Sequence, residues 1–576
     1  MRTLGKVLLW IFAIIGILTV VFTILLSSIV LKKPSVAVKE NTFLTLKLSG
    51  LANDYNPYES MPFIREPLSI SELCKKIETA QNDPRIKGII IKPTPYYISG
   101  WALTKELRDR LLDFHQAGKK IYAYCDFVGD TGYYVASIAD SIFLNPSQSG
   151  GIILTGIAAE INYYKGLFDK IGIEFISVHQ GEYKGAGEPF SQKTMSEPMR
   201  ENYTEFIEDM YKEYVQAIAE SRGLPLSQML EIMENRQDLF IVGESALELN
   251  LADVLCSEKE FNKMIIEPSN IMDIKKYPAQ VQNKSDKIAI LYGQGNIILS
   301  GNDGFGLESH VITDENIPNE LDKIAKRKDV KALVFRVNSE GGSALVSDIV
   351  WNALEEVNKK IPVVVSMGDM AASGGYYISC GADYIFAQPN TLTGSIGVVS
   401  LLINWEELRE KAEINTYQIK KGKYAGFLSP NFSPSQSDIA TIERMSEKIY
   451  EEFKERVAQG RNMTLEQVEQ VAQGRLWTGK RAVDAGLVDE LGGLDDAVAK
   501  AAELAGIEEY SIILFPQRKG LLDILRKGFD LDIGSGIKGK LNEQTFKLFP
   551  TQEKIIEAVS REPVWLIPPF QLDVNY

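Results

Sequence analysis

Ser373 and Lys184 are the two residues of this 576-residue chain whose types and settings could carry out nucleophilic chemistry together. Ser373 lies in MAASGGYYISCGADYIFAQP, Met370 to Pro389, and Lys184 lies in GEYKGAGEPF, Gly181 to Phe190. Each stretch has a counterpart elsewhere that lacks the reactive residue. GDTGYYVASIADSIFLNP, Gly129 to Pro146, matches the serine stretch and sets Asp130 opposite Ser373 and Thr131 opposite Gly374. GKYAGF, Gly422 to Phe427, matches the lysine stretch and sets Ala425 opposite Lys184. The offsets, 243 and 241 residues, agree to within two residues. One copy keeps a serine, the other keeps a lysine, and together they could build a single Ser–Lys site. A lysine is a base only when neutral, so its ordinary pKa of about 10.4 must fall by several units through desolvation or nearby positive charge. Gly181, Gly185 and Gly187 around Lys184 would let another domain cover the amine.

Ser373 follows an apolar run, Pro362 to Ser366, and opens an expected helix among Ala371, Ala372, Gly374 and Gly375. A strand–turn–helix with small neighbours resembles a nucleophile elbow, although G-x-S-x-G is absent because position 371 is Ala. The helix N-terminus favours negative charge and so suits a developing oxyanion. Taken alone, the turn fits a simple serine N-cap at least as well, and Lys184 alone reads as a surface lysine. In RVNSEGGSALVS, Arg336 to Ser347, paired glycines let backbone N–H groups approach a substrate; a tight turn before a helix fits them equally. The first half has KPTPYYISG at this place, without the glycine pair. Ser395, in TLTGSIGV, could hydrogen-bond the lysine and orient it; alone it would pass as a turn serine.

The elements that must position these residues follow from hydrophobic pattern. Lys287–Tyr292, Lys331–Val337 and Pro362–Ser366 are short β-branched runs separated by helical-period segments such as Pro318–Arg327. That alternation predicts βαβ units and a mainly parallel sheet covered on both faces. Phe43–Leu48, Gly88–Lys92 and Lys120–Tyr124 fill the same slots in the first half. Each Tyr-Tyr segment should make a short helix, followed by a strand at Ser141–Leu144 or Tyr384–Ala387. Long amphipathic helices are expected over Glu197–Ser221 and Ser435–Gln459. A smaller helix pair follows in each half, in which Gly243–Leu255 matches Gly479–Leu491 at an offset of 236. Duplication of one α/β domain is the simplest account.

Composition excludes several classes. A net charge of −15 with no Lys/Arg-rich block argues against a nucleic-acid partner. Four scattered cysteines and three histidines (His115, His179, His310) in ordinary contexts give no disulfide framework, zinc site or histidine triad. No metal or cofactor is expected. Val7 to Leu31 carries no charge over 25 residues and is flanked by Arg2, Lys6, Lys32 and Lys33. It is long enough to cross a bilayer and longer than the apolar core of a cleaved signal peptide. An uncleaved anchor is expected, and positive charge at both ends leaves its orientation open.

At this point the resemblance becomes specific. Ser373 in MAASGGYY, the loop NSEGGS, TLTGSIGV and EYKGAGEPF together resemble the signal peptide peptidases of the protease IV type in their long double-domain form. The likeness runs through almost the whole chain, with the motifs in the family's order. It implies two tandem Clp/crotonase-like ββα-superhelix domains and a Ser–Lys dyad. Ser373 would be the nucleophile, Lys184 the general base and Ser395 the residue that orients the lysine. Gly342 and Gly374 would supply the oxyanion hole. The resemblance further implies peptide substrates, namely remnant signal peptides, an apolar groove, a homotetramer, and an inner-membrane protein with its catalytic part on the periplasmic side. The expected division is an anchor over 1–35, a lysine domain over 36–266, a linker over 267–286, a serine domain over 287–515 and a tail over 516–576 that is either an assembly segment or a loose terminus. Two residues depart from the family pattern: Glu340 where the glycine loop usually has Pro, and Gly185 where Ser or Ala usually follows the lysine. Neither change removes a reacting atom. The alternatives are a crotonase-like acyl-CoA enzyme, for which no carboxylate pair or basic CoA patch is seen, and a non-catalytic membrane scaffold.

Overall fold

The computed structural model describes residues 37–56, 68–267, 269–279, 283–300, 311–517 and 564–566. The expected anchor at 7–31 lies outside the described residues. Among the described residues, no helix is long and apolar enough to cross a membrane.

Two parallel sheets repeat one strand order. In the first, Val254–Leu255, Ser141–Leu144, Lys120–Cys125, Ile86–Ile98, Thr42–Asn53 and Asn270–Asp273 lie side by side, all parallel. In the second, Glu490–Leu491, Tyr384–Ala387, Val363–Ala372, Val330–Ser339, Lys287–Gln294 and Ser511–Phe515 do the same. The strands are apolar runs because helices cover both faces; Val330–Ser339, for instance, is buried at nearly every position. The α/β duplication is therefore present, and it extends further than its sequence signature. Residues 267–286, expected to be a linker, instead contribute Asn270–Asp273 as the edge strand of the first sheet, as Ser511–Phe515 does in the second. Gly243–Leu255 and Gly479–Leu491 each form one short helix and a two-residue strand, with the partner helices, Leu226–Glu234 and Leu465–Val471, lying upstream.

The helices are set by their caps and apolar stripes. Ser196 and Ser435 cap the two 26-residue helices Glu197–Arg222 and Gln436–Arg461 by accepting from Met199 N and Asp438 N. Both helices end in a left-handed residue, Gly223 and Asn462, which turns the chain away. Ala344–Asn358 buries Val346, Val350, Trp351, Leu354 and Val357 on one stripe, each contributing about 1.5–3 kcal/mol of apolar burial.

Three of the links between the repeats bear on the site. Met370, Ala372, Leu392 and Leu476 of the second repeat belong to the core of the first. A buried charge cluster also crosses the boundary: Arg336 donates to Asp54 at 2.6 Å, Glu106 at 2.8 Å, Ser366 Oγ at 2.7 Å and the Met367 carbonyl at 3.1 Å. Burial raises the Glu106 carboxyl well above the usual carboxylate range, and Arg336 works against that rise. Arg336→Met is expected to lower the unfolding free energy by about 3–5 kcal/mol, because it leaves two carboxylates buried with no cation. Urea denaturation checks this, and a change below about 1 kcal/mol would mean that the cluster is solvated in solution. The third link is an antiparallel ladder from Glu174↔Asn404 to Gln180↔Val398. This ladder positions the site.

Candidate active site

The strand Glu174–Gln180 belongs to the first repeat and leads into the lysine loop; Val398–Asn404 belongs to the second and begins just after Ser395. Pairing them brings together side chains that are 189 residues apart. Further main-chain bonds lock the loop in place. Tyr183 N donates to the Gln473 carbonyl at 2.8 Å, Gly474 N to Ile396 O at 2.7 Å, and Ser395 N to Arg475 O at 2.8 Å. Gly474 is needed here: it has φ +76°, and a Cβ on it would lie 2.6 Å from Lys184 Cβ and from Lys184 N.

The result is a closed cluster. Lys184 Nζ lies 2.6 Å from Ser373 Oγ, 2.8 Å from the Ser395 carbonyl and 3.0 Å from Ser395 Oγ. All three residues are buried, Lys184 to 1% exposure. Burial alone holds the Lys184 pKa well below the ordinary lysine value, because a charged ammonium is not solvated there. A neutral amine has two N–H groups and one lone pair. The Ser395 carbonyl can only accept, and Ser395 Oγ takes the second N–H, so the lone pair is left for the Ser373 hydroxyl.

Ser373 is not the side-chain helix cap that its turn also allowed. It occupies the N-cap position of Gly374–Tyr377 but makes no capping hydrogen bond, and its backbone sits at φ 55°, ψ −115°. A non-glycine residue held there stores roughly 1–3 kcal/mol of strain. The strand Val363–Ala372 and the bond from Ser373 N to the Gly394 carbonyl, 2.8 Å, fix it in that pose.

The glycine loop lies alongside. Ser339 Oγ donates to the Gly295 carbonyl at 2.6 Å and accepts from Gly341 N at 3.1 Å, which holds the turn. Gly342 (φ +148°) bridges the parallel strand Asn296–Ile298, with Ile297 N donating to Gly341 O at 2.8 Å. A parallel bridge of this kind uses the groups flanking Gly342 and leaves its own N–H turned to the other side. A Cβ placed on Gly374 would lie 3.1 Å from Gly342 N, so the two glycine backbones are neighbours beside Ser373. Such a pair of N–H groups can stabilise an oxyanion. In the first repeat, the strand Ile86–Ile98 runs straight through the corresponding place and no such loop forms.

Sequence reasoning missed what Asp130 does. Its carboxylate accepts from Thr155 N, Thr155 Oγ1, Gly156 N and the Tyr214 hydroxyl at 2.8–3.1 Å. It has become a buried anchor for the first repeat's counterpart of the Ser395 loop. The signal was the shared Thr-Gly of TGI (155–157) and TGS (393–395). Beside the glycine loop, a cavity of about 370 Å³ is lined by Asp54, Glu340, Asp369 and Asn338 among others. Among the described residues, no group of three or more His, Cys, Asp or Glu could hold a metal ion.

The profile of peptidase family S49 matches residues 113–268 and 355–508, one match in each repeat. The first match contains Lys184 and the second contains Ser373, Gly374 and Ser395. The chloroplastic serine protease SPPA of Arabidopsis thaliana is 30% identical over 483 residues, covering 82% of this chain and 70% of the relative. Protease 4 of Haemophilus influenzae is 30% identical over 523 residues, covering 84% and 83%. Protease 4 of Salmonella typhi is 32% identical over 474 residues, covering 79% and 75%. A mutant ClpP1 from Listeria monocytogenes aligns structurally with 36% of the chain at 15% identity and a TM-score of 0.24, too slight a likeness to argue from.

Proposed function

Since this chain belongs to peptidase family S49 and is a serine peptidase, we propose that it cuts peptide bonds with Ser373 as nucleophile and Lys184 as general base. The 2.6 Å approach of Lys184 Nζ to Ser373 Oγ carries the reading. The neutral amine takes the hydroxyl proton as Oγ attacks the scissile carbonyl. The N–H groups of Gly374 and Gly342 receive the oxyanion, an effect worth about 3–4 kcal/mol per donor in other serine hydrolases. The ammonium then protonates the leaving amine, and water releases the acyl-enzyme with Lys184 again as base. Ser395 is a positioning residue that takes up both amine hydrogens.

The proposal extends to the setting. Residues 7–31 anchor the chain in the inner membrane, the catalytic part faces the periplasm, and the substrates are remnant signal peptides. The working form is a homotetramer. Kinship with proteins named protease 4 and SPPA supports peptide substrates, and the uncharged stretch Val7–Leu31 supports the anchor.

The test is hydrolysis of a short apolar fluorogenic peptide by the detergent-purified chain, with fluorophosphonate labelling of the nucleophile. A label on Ser373 separates this reading from a non-catalytic scaffold. The pH profile carries a second expectation. Below the Lys184 pKa the amine is an ammonium with no lone pair, so log kcat/KM should rise with unit slope and then level off. Burial lowers that pKa, so the plateau should begin well below about pH 10, where an ordinary lysine titrates. A profile with no such rising limb anywhere between about pH 4 and about pH 10 would exclude Lys184 as the base.

A further inference from the structure

The cavity beside the glycine loop lies between the repeats: Asp54, Leu103 and Met210 come from the first, and Glu340, Asp369 and Asn390 from the second. Glu340 directly precedes Gly341–Gly342, and Asp369 lies four residues before Ser373. The cavity is thus built on the two segments that carry the oxyanion donor and the nucleophile. Its charge is unbalanced. Asp54 is matched by the buried Arg336 at 2.6 Å. Asp369 accepts from Leu103 N at 3.0 Å, at the start of the helix Trp101–Gln116, and takes part in no ion pair among the described residues. Burial lifts its carboxyl to about 6, so near pH 7 it is an ionised group without a counter-ion. Glu340 adds a second carboxyl group to the lining. Asn390 is only 3% exposed, and its amide nitrogen has no hydrogen-bond partner.

Buried polar side chains are nearly always paired, so an unpaired one in a cavity wall marks a place for an occupant. Turned either way, the Asn390 amide presents a donor or an acceptor. Among the described residues, no three His, Cys, Asp or Glu groups could hold a metal ion together. An organic cation on an apolar stem meets every demand. It brings charge to Asp369 and Glu340, an N–H donor to the Asn390 oxygen, and methylenes to Leu103 and Met210. We propose that this cavity is a subsite for a basic side chain, Lys or Arg, of the peptide being cut, close to the scissile bond. The proposal deepens the Ser373–Lys184 peptidase reading and rests on it. The same carboxylates turn an acidic side chain away. A signal peptide carries its basic residues in its first segment, so the subsite directs the cut to that end rather than into the apolar core.

The test uses the full chain in detergent and fluorogenic peptides that differ at one residue, with Arg, Lys, Leu or Glu in turn at each position near the scissile bond. At one position kcat/KM should be about tenfold higher for Arg or Lys than for Leu, and about a hundredfold higher than for Glu, because like charges in a desolvated site repel strongly. Asp369→Asn keeps the size of the side chain and an oxygen for Leu103 N. It should bring the ratio of Arg to Leu rates down to about one. Glu340→Gln, on the glycine loop, should lower that ratio about threefold. Should Asp369→Asn fail to fold by circular dichroism, Glu340→Gln reads the same ratio by itself. Equal rates with Arg, Leu and Glu at every position, from a chain that hydrolyses peptides and is labelled at Ser373, would overturn the subsite and leave the peptidase reading standing. A preference for Arg that both variants keep in full would also overturn it, since the cation would then be read elsewhere. Wild type inert toward every peptide and unlabelled at Ser373 would sink the peptidase reading, and the subsite with it.

Discussion

Ser373→Ala should lower kcat/KM for peptide hydrolysis by about 10⁴–10⁶-fold, the range seen when a nucleophile is removed from a site whose groups act as a unit. The loss should come without unfolding. The hydroxyl's recorded side-chain partner is Lys184, and the amine keeps both Ser395 oxygens when that partner is removed. Alanine tolerates the same backbone pose about as well as serine does, so the change in stability should stay within about 1 kcal/mol. Steady-state kinetics, fluorophosphonate labelling and a thermal melt read the three quantities. Activity above about one per cent of wild type, or labelling displaced to another serine, would place the nucleophile elsewhere.

Lys184→Met should cost nearly as much, about 10³–10⁵-fold. The double variant should be no worse than Ser373→Ala alone, because a base without its nucleophile does nothing. This substitution has a second readout that a merely structural lysine would not give. In the folded chain burial holds the Lys184 pKa well below its ordinary value, and in the unfolded chain it returns to about 10.4. Between those two values the unfolded state carries a proton that the folded state lacks, so stability rises with pH. Below the folded-state pKa both states are protonated and the full penalty of burying an ammonium is present. Each unit of depression corresponds to about 1.4 kcal/mol. Lys184→Met removes the titrating group, so its denaturation midpoint should lack that alkaline gain. Parallel curves for wild type and variant across the alkaline range would mean that Lys184 titrates normally.

Much of the site was legible because its pieces are local. Ser373 among alanines and glycines, the pair Gly341–Gly342 after a core strand, and Lys184 between glycines all need only short-range geometry to be noticed. The strand runs were legible for the same reason: Ser141–Leu144 and Tyr384–Ala387 fall where their β-branched and aromatic residues put them. What was not legible depends on distant partners. Asn270–Asp273 is a four-residue strand in a Lys- and Pro-rich stretch, and only its pairing with Thr42–Thr45 makes it one. Pro93 and Pro95 argue against a strand, yet Ile86–Ile98 continues through them. Its neighbour Lys120–Cys125 pairs only with Gly88–Ile91, so neither proline owes that strand a hydrogen bond. On the Thr42–Asn53 side, a register shift between Leu48 and Gly50 absorbs the second proline. The closing of the Lys184–Ser373 gap belongs to the ladder between Glu174–Gln180 and Val398–Asn404, and nothing in either strand names the other as its partner.

That ladder also sets a clock. A chain is made from its N-terminus and folds domain by domain as it emerges. Lys184 is made 189 residues before Ser373, and Val398–Asn404, which brings them together, comes later still. On the proposed dyad, a first repeat that has folded by itself would hold a base with nothing to activate. Contacts of such sequence separation are among the slowest to form. A peptidase divided as proposed would stay inert through its own synthesis and most of its folding, and would become able to cut only when the last long-range pairing has been made.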